Sequence, residues 1–283
     1  MTPIVQTFFD KATFTATYLV SDPATKAAAI IDPVLDFEPA RARLSTVSAD
    51  AVLAAVADQG LDLQWVLETH AHADHLSAGD YIRGKTGAKL VIGAHIKAVQ
   101  KLFGDIFETT AGADVFDRLI EEGESLPLGD LPIGVLHTPG HTPACVTYLI
   151  GDAAFIGDTM FMPDYGTARA DFPGGDASAL YRSIRKILDL PPQTRLFTGH
   201  DYLPAGRTAF AWESTVAGQR AANVHVHDGV DEAAFVTMRQ ARDATLAAPV
   251  LILPSLQVNI RGGALPAASP GGHVYLKLPV NTL

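Results

Sequence analysis

A short run of histidines and one aspartate constrains this sequence more than any other feature. His70, His72, Asp74 and His75 form the pattern His-x-His-x-Asp-His directly after LQWVLET, whose apolar pattern predicts a buried strand. In an extended segment, side chains two residues apart point to the same side, which places His70 and His72 together. A turn after them can bring Asp74 and His75 to a neighbouring point. Because imidazole and carboxylate are common metal ligands, the run predicts a metal site that could serve two adjacent ions.

Three further candidate ligands follow strand-like runs later in the chain. His141 follows VLHTPG, Asp158 follows AAFIG, and His200 follows RLFTG. Each is preceded by a glycine, which permits close approach of the backbone to a ligand. Loops at a sheet edge are a usual place for a functional site. We therefore expect several loops to gather these side chains at one edge of a sheet.

The composition limits both the metal chemistry and the partners. The 283 residues include one cysteine, Cys145, which excludes an intrachain disulfide and a thiolate-rich metal site. Any metal must therefore be held by histidine and carboxylate. The net charge of −10 gives no bulk attraction to nucleic acid or to an anionic membrane. The sequence shows neither a membrane-spanning run nor a secretory leader, so we expect a cytoplasmic protein without nucleic-acid or membrane partners.

Short β-rich runs alternate with helical patterns along the chain. The first third predicts antiparallel strands, and SADAVLAAVADQG predicts a helix that ends at Gly60. ASALYRSIRKILDL predicts an amphipathic helix whose apolar face consists of Leu180, Ile184, Ile187 and Leu188. Helices are also expected over about 205–222 and 231–247, followed by a strand in VLILPSLQV. This order is compatible with two sheets packed face to face and helices outside them.

The motifs taken together resemble those of the metallo-β-lactamase superfamily. The resemblance rests on THAHADH, TPGHT, IGDT and TGHDY in family order, and on Asp32 in IIDPV, which matches an aspartate that supports the metal ligands. It implies an α/β fold, the αββα four-layer sandwich, with the metal site at one edge. It also implies that residues 1–283 form a single domain, with a C-terminal helical and strand extension from about residue 205.

Members of the superfamily hold metal in two ways. In dinuclear members seven residues hold two ions, and Asp158 matches the bridging ligand; the other matching positions are His70, His72 and His141 for one ion, and Asp74, His75 and His200 for the other. The persulfide dioxygenase branch keeps all seven residues but binds one iron. For that iron the resemblance implies His70, His141 and Asp158. Two imidazoles and a carboxylate on one face of the ion leave positions open for substrate and oxygen.

Three local segments resemble the persulfide dioxygenase branch. HTPACVTYLI carries Cys145, GTARADFPGG carries Arg169 and Asp171, and LPSLQVNIRGG carries an asparagine and an arginine found in that branch. Arg169 suits an anionic substrate because its planar guanidinium pairs with carboxylates; the alternative is an ion pair with Asp171. Tyr202 could reach a bound substrate or serve in packing. The candidate substrate-binding residues are therefore Arg169, Tyr202, Asn259 and Arg261.

The remaining histidines and the cysteine are given structural roles. His137 lies inside a strand pattern, which favours a core or supporting role, and His95 is expected to cap a helix or face solvent. Cys145 is expected to be a buried small hydrophobe rather than a nucleophile. Solvent-exposed positions are expected for His225, which stands where mitochondrial relatives of the branch carry an arginine, and for His227 and His273.

The leading hypothesis is a non-haem persulfide dioxygenase with one Fe(II) per chain. It would oxidise glutathione persulfide, or a similar low-molecular-weight persulfide, with O2 to sulfite and thiol. His72, Asp74, His75 and His200 would then orient water and substrate. The alternative is a hydrolase of the glyoxalase II or lactonase type with two Zn(II), in which those four residues are metal ligands. A non-catalytic sulfur-responsive protein is disfavoured because no ligand is missing, and the apolar composition leaves room for a homodimer.

Overall fold

The computed structural model describes residues 2–109 and 112–282. The strands, in chain order, are β1 (Ile4–Asp10), β2 (Thr15–Ser21), β3 (Ala27–Ile31), β4 (Val34–Glu38), β5 (Arg43–Ser45), β6 (Asp62–Glu68), β7 (Leu76–Ser77), β8 (Lys89–Gly93), β9 (Arg118–Ile120), β10 (Ser125–Leu128), β11 (Leu131–His137), β12 (Val146–Ile150), β13 (Ala153–Gly157), β14 (Arg195–Thr198) and β15 (Glu213–Thr215). The helices are α1 (Val47–Asp58), α2 (Gly79–Thr86), α3 (Ile96–Phe107), α4 (Ala177–Leu188), α5 (Val216–Ala222), α6 (Glu232–Asp243) and α7 (Ile252–Asn259).

The strands form two large sheets and a small one. The first sheet has the order β1-β2-β3-β6-β8-β9, and the second has the order β10-β11-β12-β13-β14-β15. In the first sheet β1, β2 and β3 pair antiparallel, whereas β3, β6 and β8 pair in parallel. In the second sheet β10 to β13 pair antiparallel, whereas β13 and β14 pair in parallel. The small sheet has the order β5-β4-β7. Each large sheet is therefore mixed, with parallel strands leading towards one shared edge.

Alternation of side chains along the strands produces the layers. In β2, Tyr18 and Val20 point to the apolar cluster between the sheets, whereas Leu19 points to the cluster under α1, α2 and α3. In β13, Phe155 belongs to the layer between the sheets, whereas Ile156 packs against α4 and α6. Because successive residues of a strand face opposite sides, each sheet is covered on both faces. The expected αββα sandwich is confirmed.

Two of the predicted helices form as expected from their apolar spacing. Helix α1 ends just before Gly60, which has a positive φ of 60°. Helix α4 buries Leu180, Ile184, Ile187 and Leu188 against the second sheet, and the Asp176 side chain caps it by accepting from the N–H of Ala179. The amphipathic pattern therefore identified the face that packs on the sheet.

The C-terminal extension differs from the prediction. VLILPSLQV forms helix α7 instead of a strand, and no strand lies in the described part of the tail, which extends to residue 282. A short apolar run without alternation fits a buried helix as well as a strand, and Pro254 stands in the first turn, where no intrahelical N–H bond is lost. In the region 205–222 the helix is confined to α5, because 213–215 pair with β14 as β15.

The candidate ligands lie where strands end. The histidine run follows β6, Asp158 follows β13, and His200 follows β14 by one residue. His141 lies in the loop between β11 and β12. None of the helices in the described part of the chain combines the length and apolarity that a membrane span requires. The sheets therefore bring ligands from distant positions to one edge.

Candidate metal centre

Two imidazoles and one carboxylate converge at the end of the sandwich. The Nε2 atoms of His70 and His141 lie 3.8 and 3.7 Å from Oδ2 of Asp158. One ligand atom from each of the three residues lies within 4.8 Å of the others, and all three residues are buried. This spacing allows one ion to contact all three side chains.

Asp158 also joins this group to a second one. His200 Nε2 lies 3.4 Å from Asp158 Oδ1 and 3.0 Å from Asp74 Oδ2, and His75 Nδ1 lies 3.6 Å from Asp74 Oδ1. His72, Asp74, His75 and His200 form a four-residue group whose ligand atoms lie within 4.8 Å of one another. All seven residues predicted from the sequence are thus brought together, in two groups.

The donor atoms of both groups suit a bound metal. Within the described residues, Nε2 of His70, His75 and His200, Oδ1 of Asp158 and Oδ2 of Asp74 are buried without a hydrogen-bond partner. Burying so many polar atoms without partners is costly, and a cation that accepts their lone pairs removes the cost. Nitrogen and oxygen donors fit Fe(II) and Zn(II), and this donor set contains no thiolate.

Hydrogen bonds on the far side of three rings fix which nitrogen faces the site. His141 Nδ1–H donates to the carbonyl of Arg169 at 2.9 Å, and His200 Nδ1–H donates to that of Phe14 at 3.2 Å. The Thr69 hydroxyl donates to Asp32 and accepts from His70 Nδ1 at 3.0 Å. When the ring is neutral, these bonds leave the lone pair on Nε2, which is the form that binds a metal.

The charge of the site is unevenly distributed in the metal-free chain. Burial, with the nearby His72 and His141, lowers the pKa of His70 well below its usual value, so this imidazole is neutral at neutral pH. Burial also opposes the charge of His200, but Asp158 and Asp74 outweigh it and raise the pKa of His200 to about 9. A cation between these groups would take over the role of the proton on His200.

A third buried cluster supports His72 and includes a residue that the sequence analysis missed. His72 Nε2 lies 3.0 Å from Asp32 Oδ1 and 3.6 Å from Glu68 Oε2, and the other oxygen of Glu68 accepts from the Ser77 hydroxyl. Burial opposes protonation of His72, but the two carboxylates hold its pKa well above the usual value. Burial raises the pKa of Glu68. A lone acidic residue at the end of a buried strand was the available signal.

Asn259 has a different place from the one predicted. Its side chain is buried behind the histidine run, where its amide donates to the carbonyls of His72 and His75 at 2.8 and 2.7 Å. Its Oδ1 accepts from the N–H of Ser77 at 2.8 Å. Asn259 therefore holds the ligand loop and has no free donor for a substrate. Arg261 donates to Thr109 and lies outside the cavity lining, so the structure does not place it as a substrate contact either.

Arg169 lines the cavity, but each of its three side-chain nitrogens already donates within the protein. Its Nη2 donates to Asp171 Oδ2 at 2.7 Å, its Nε donates to Asp171 Oδ1 at 2.5 Å, and its Nη1 donates to the carbonyl of Ala247 at 2.7 Å. The ion pair that the sequence left as the alternative is therefore the one observed. Tyr202 does line the cavity, and its ring stacks on His200 with the centroids 5.7 Å apart.

Three of the seven candidate ligands line a cavity of about 580 Å³. This volume is within the range of small-molecule sites. Asp74, His141 and Asp158 face it, and aromatic rings form much of its wall: Phe14, Phe37, Phe161, Tyr165 and Tyr202. A small molecule can therefore reach the candidate metal position from solvent.

The other histidines lie away from the centre. His137 stacks on His95 with centroids 4.0 Å apart and contacts the carbonyl of Pro143. His225 was expected to be solvent-exposed, and this prediction is wrong. The residue is half-buried, and its Nδ1 accepts from the N–H of Thr167 at 3.0 Å. Burial raises the pKa of the Cys145 thiol to about 12, which makes it an inert buried group.

Comparison with known proteins agrees with the geometry. Residues 11–200 match the family model described as the metallo-beta-lactamase superfamily. A "Probable metallo-hydrolase" of Burkholderia pseudomallei is 51% identical and spans 99% of both chains. Human mitochondrial persulfide dioxygenase ETHE1 is 33% identical over 70% of this chain and 68% of its own.

A solved structure extends the similarity to the whole sandwich. ETHE1 from Myxococcus xanthus superposes with a TM-score of 0.75 at 32% identity, covering 92% of this chain and all of that one. The four layers and the position of the ligands at one edge of the sandwich agree with these similarities. The chain belongs to the metallo-beta-lactamase superfamily, and its similarity to ETHE1 proteins supports the persulfide dioxygenase branch.

Proposed function

We propose that the chain is an iron-dependent persulfide dioxygenase. The observation that carries the proposal is the group of His70, His141 and Asp158, whose ligand atoms lie within 4.8 Å of one another, with His141 and Asp158 lining the cavity. Two histidines and one carboxylate with open positions are the ligand set of non-haem Fe(II) oxygenases. The relatives named persulfide dioxygenase ETHE1 support the same assignment.

The reaction converts a persulfide and oxygen into a thiol and sulfite: RSSH + O2 + H2O → RSH + SO3²⁻ + 2 H⁺. The S–S bond breaks, the terminal sulfur loses four electrons, and O2 accepts them. A bound Fe(II) would supply the redox chemistry and the open positions at which the two reactants meet. We assign glutathione persulfide, or another low-molecular-weight persulfide, as the substrate.

The protein contributes orientation and exclusion of water. The carbonyl of Arg169 fixes the ring of His141, and the Thr69 hydroxyl fixes that of His70. Burial, with the charges of Asp74 and Asp158, holds the pKa of Tyr202 well above its usual value, so the phenol keeps its proton and can donate to a bound substrate. The aromatic rings of the cavity wall would displace part of the hydration water of a bound substrate.

The second ligand group favours one competing function. His72, Asp74, His75 and His200 could hold a second ion, and two Zn(II) would make the site that of a thioester or lactone hydrolase. The Burkholderia relative carries the name metallo-hydrolase. In that case a metal-activated hydroxide, rather than O2, would be the attacking reagent.

Metal content and oxygen uptake distinguish the two functions. Protein produced without added zinc and purified anaerobically is analysed for metals, then mixed with glutathione persulfide in an oxygen electrode. We expect about one iron per chain and oxygen uptake that depends on persulfide. Two zinc ions per chain, no oxygen uptake and turnover of a thioester would overturn the proposal.

Two histidine variants control that experiment. His141→Gln removes a proposed iron ligand and should abolish both iron retention and oxygen uptake. His227→Gln changes an exposed histidine whose ring, among the described residues, makes one hydrogen bond, to the carbonyl of Asp228, and it should alter neither. Equal loss in both variants would mean that the effect is not one of ligation.

A further inference from the structure

The segment 167–170 joins the cavity wall to one of the candidate ligands. It lines the cavity with Thr167, Ala168 and Arg169. The carbonyl of Arg169 accepts from the Nδ1–H of His141 at 2.9 Å. A ring that is held through Nδ1 presents its Nε2 in a fixed direction. The position of this one carbonyl therefore determines the orientation of His141.

The same segment has little regular structure of its own. In the part of the chain that the structure describes, a single β-bridge, between Thr167 and Met160, is the regular contact assigned to it. A helix or a sheet would fix the backbone through repeated hydrogen bonds, and one bridge does not do this for four residues. The conformation of the segment therefore depends on side chains that reach its backbone from other elements.

Two of these side chains come from one helix and form an ion pair. Arg239 and Asp243 lie one turn apart in α6, and Nη2 of Arg239 is 2.6 Å from Oδ1 of Asp243. Nη1 of Arg239 donates to the carbonyl of Thr167 at 3.2 Å. Oδ2 of Asp243 accepts from the N–H of Ala170 at 2.9 Å. The pair therefore binds both ends of the segment, on either side of the carbonyl that His141 uses.

The burial of this pair is difficult to explain by stability alone. Arg239 and Asp243 are only 1% and 6% exposed. Removing two charges from water is costly, and apolar residues in their place often leave a protein equally stable or more stable. Each partner, however, makes one further bond to the backbone of the segment 167–170. A positioning role accounts for both the buried charges and these two bonds.

We infer that the Arg239–Asp243 pair is a positioning device for the metal centre: it holds the segment 167–170 so that the carbonyl of Arg169 fixes the ring and the tautomer of His141. The inference rests on the proposed function only in taking His141 as a metal ligand, and it is the same for one iron or for two zinc ions. It makes Arg239 and Asp243 positioning residues, although neither is a candidate ligand.

A double variant removes the pair without leaving a buried charge. Arg239→Met/Asp243→Leu replaces both side chains by apolar ones of similar shape, so the fold and the Tm should be retained, whereas either single apolar change would leave one charge buried and unpaired. Circular dichroism and thermal unfolding of the metal-free protein check this first.

The tautomer of His141 is the direct readout. Nitrogen NMR shifts of metal-free protein with isotope-labelled histidine, measured with the imidazole neutral, distinguish an Nδ1–H ring from an Nε2–H ring. The signals that disappear in His141→Gln identify this residue. We expect the Nδ1–H form in wild type and a mixture of both forms in the double variant. A pair that only stabilised the fold would leave the tautomer unchanged.

Metal affinity is the second readout. Competition with a chromophoric chelator should show a decrease of about tenfold in the double variant, because a ring that is no longer held must be ordered when the metal binds. Arg195→Met/Asp152→Leu is the matched control, since it removes an Arg–Asp pair at the opposite end of β13 and β14 from the ligands. It should change neither the tautomer nor the affinity.

A tautomer that stays fixed in the double variant would overturn the inference, as would an equal change in the control. If the double variant does not fold, Asp243→Asn is the milder change, because its one acceptor can serve Arg239 or the N–H of Ala170 but not both; a fixed tautomer there would also count against the pair. Loss of the tautomer in the variant would support the inference even if wild type showed no oxygen uptake, so this test is independent of the proposed reaction.

Discussion

Replacing Asn259 by leucine should release the ligand loop from the C-terminal helix. The buried amide bonds to three backbone groups between residues 72 and 77, at 2.7 to 2.8 Å. Leucine has nearly the same shape but neither donates nor accepts, so all three groups would be left without a partner. A buried hydrogen bond contributes about 1 kcal/mol net, which gives about 3 kcal/mol for the set.

The loss should fall on metal binding because the released loop directly follows His70, one of the three proposed iron ligands, and carries His72, Asp74 and His75 of the second group. If ordering the loop becomes part of the cost of binding, about 3 kcal/mol corresponds to a decrease of about a hundredfold in metal affinity. Affinity would be measured by competition with a chromophoric chelator, and thermal stability would be measured on the metal-free protein.

Gln257 provides a matched control in the same helix. Its buried amide also makes three backbone contacts, to the carbonyls of Leu253 and Lys277 and from the N–H of Lys277, and none of them involves the ligand loop. Gln257→Leu should lower the Tm to a similar extent but keep the metal affinity. If both variants lost the metal equally, or if Asn259→Leu kept it, the proposed role of the amide would be wrong.

Three other predictions concern backbone strain, pH and thiol reactivity. Gly140 has a φ of 137°, and a Cβ there would lie 2.2 Å from the backbone nitrogen of Leu180, so Gly140→Ala should destabilise the fold by at least about 2 kcal/mol in urea unfolding. Burial, with Arg239 and Arg242, lowers the pKa of His225 to about 4; stability should therefore fall as the pH decreases from 6.5 to 4, by about 1 to 2 kcal/mol after solvent screening, and less so in His225→Gln. Cys145 should resist iodoacetamide in the folded protein and react on unfolding, because burial keeps its thiol protonated; rapid labelling of the native chain would contradict this.

The layers were predictable because strands and helices that pack on a sheet place apolar residues at regular intervals in the sequence. Strands such as β2 send alternate residues to two apolar layers, and α4 repeats its apolar residues on one face. Helix α7 was mistaken for a strand because it is buried on several sides and therefore shows no polar face. For such a run only the neighbouring elements decide the conformation.

The ligands were predictable from residue type and from their position at strand ends, whereas their supporting contacts were not. Asn259 lies 182 residues after Ser77, and nothing local in either segment indicates that they meet. Arg169 has the chemistry of an anion-binding residue, yet Asp171 and the carbonyl of Ala247 occupy its guanidinium. A polar side chain is available to a ligand only where other groups of the protein do not already bind it, and those groups are set by the tertiary structure.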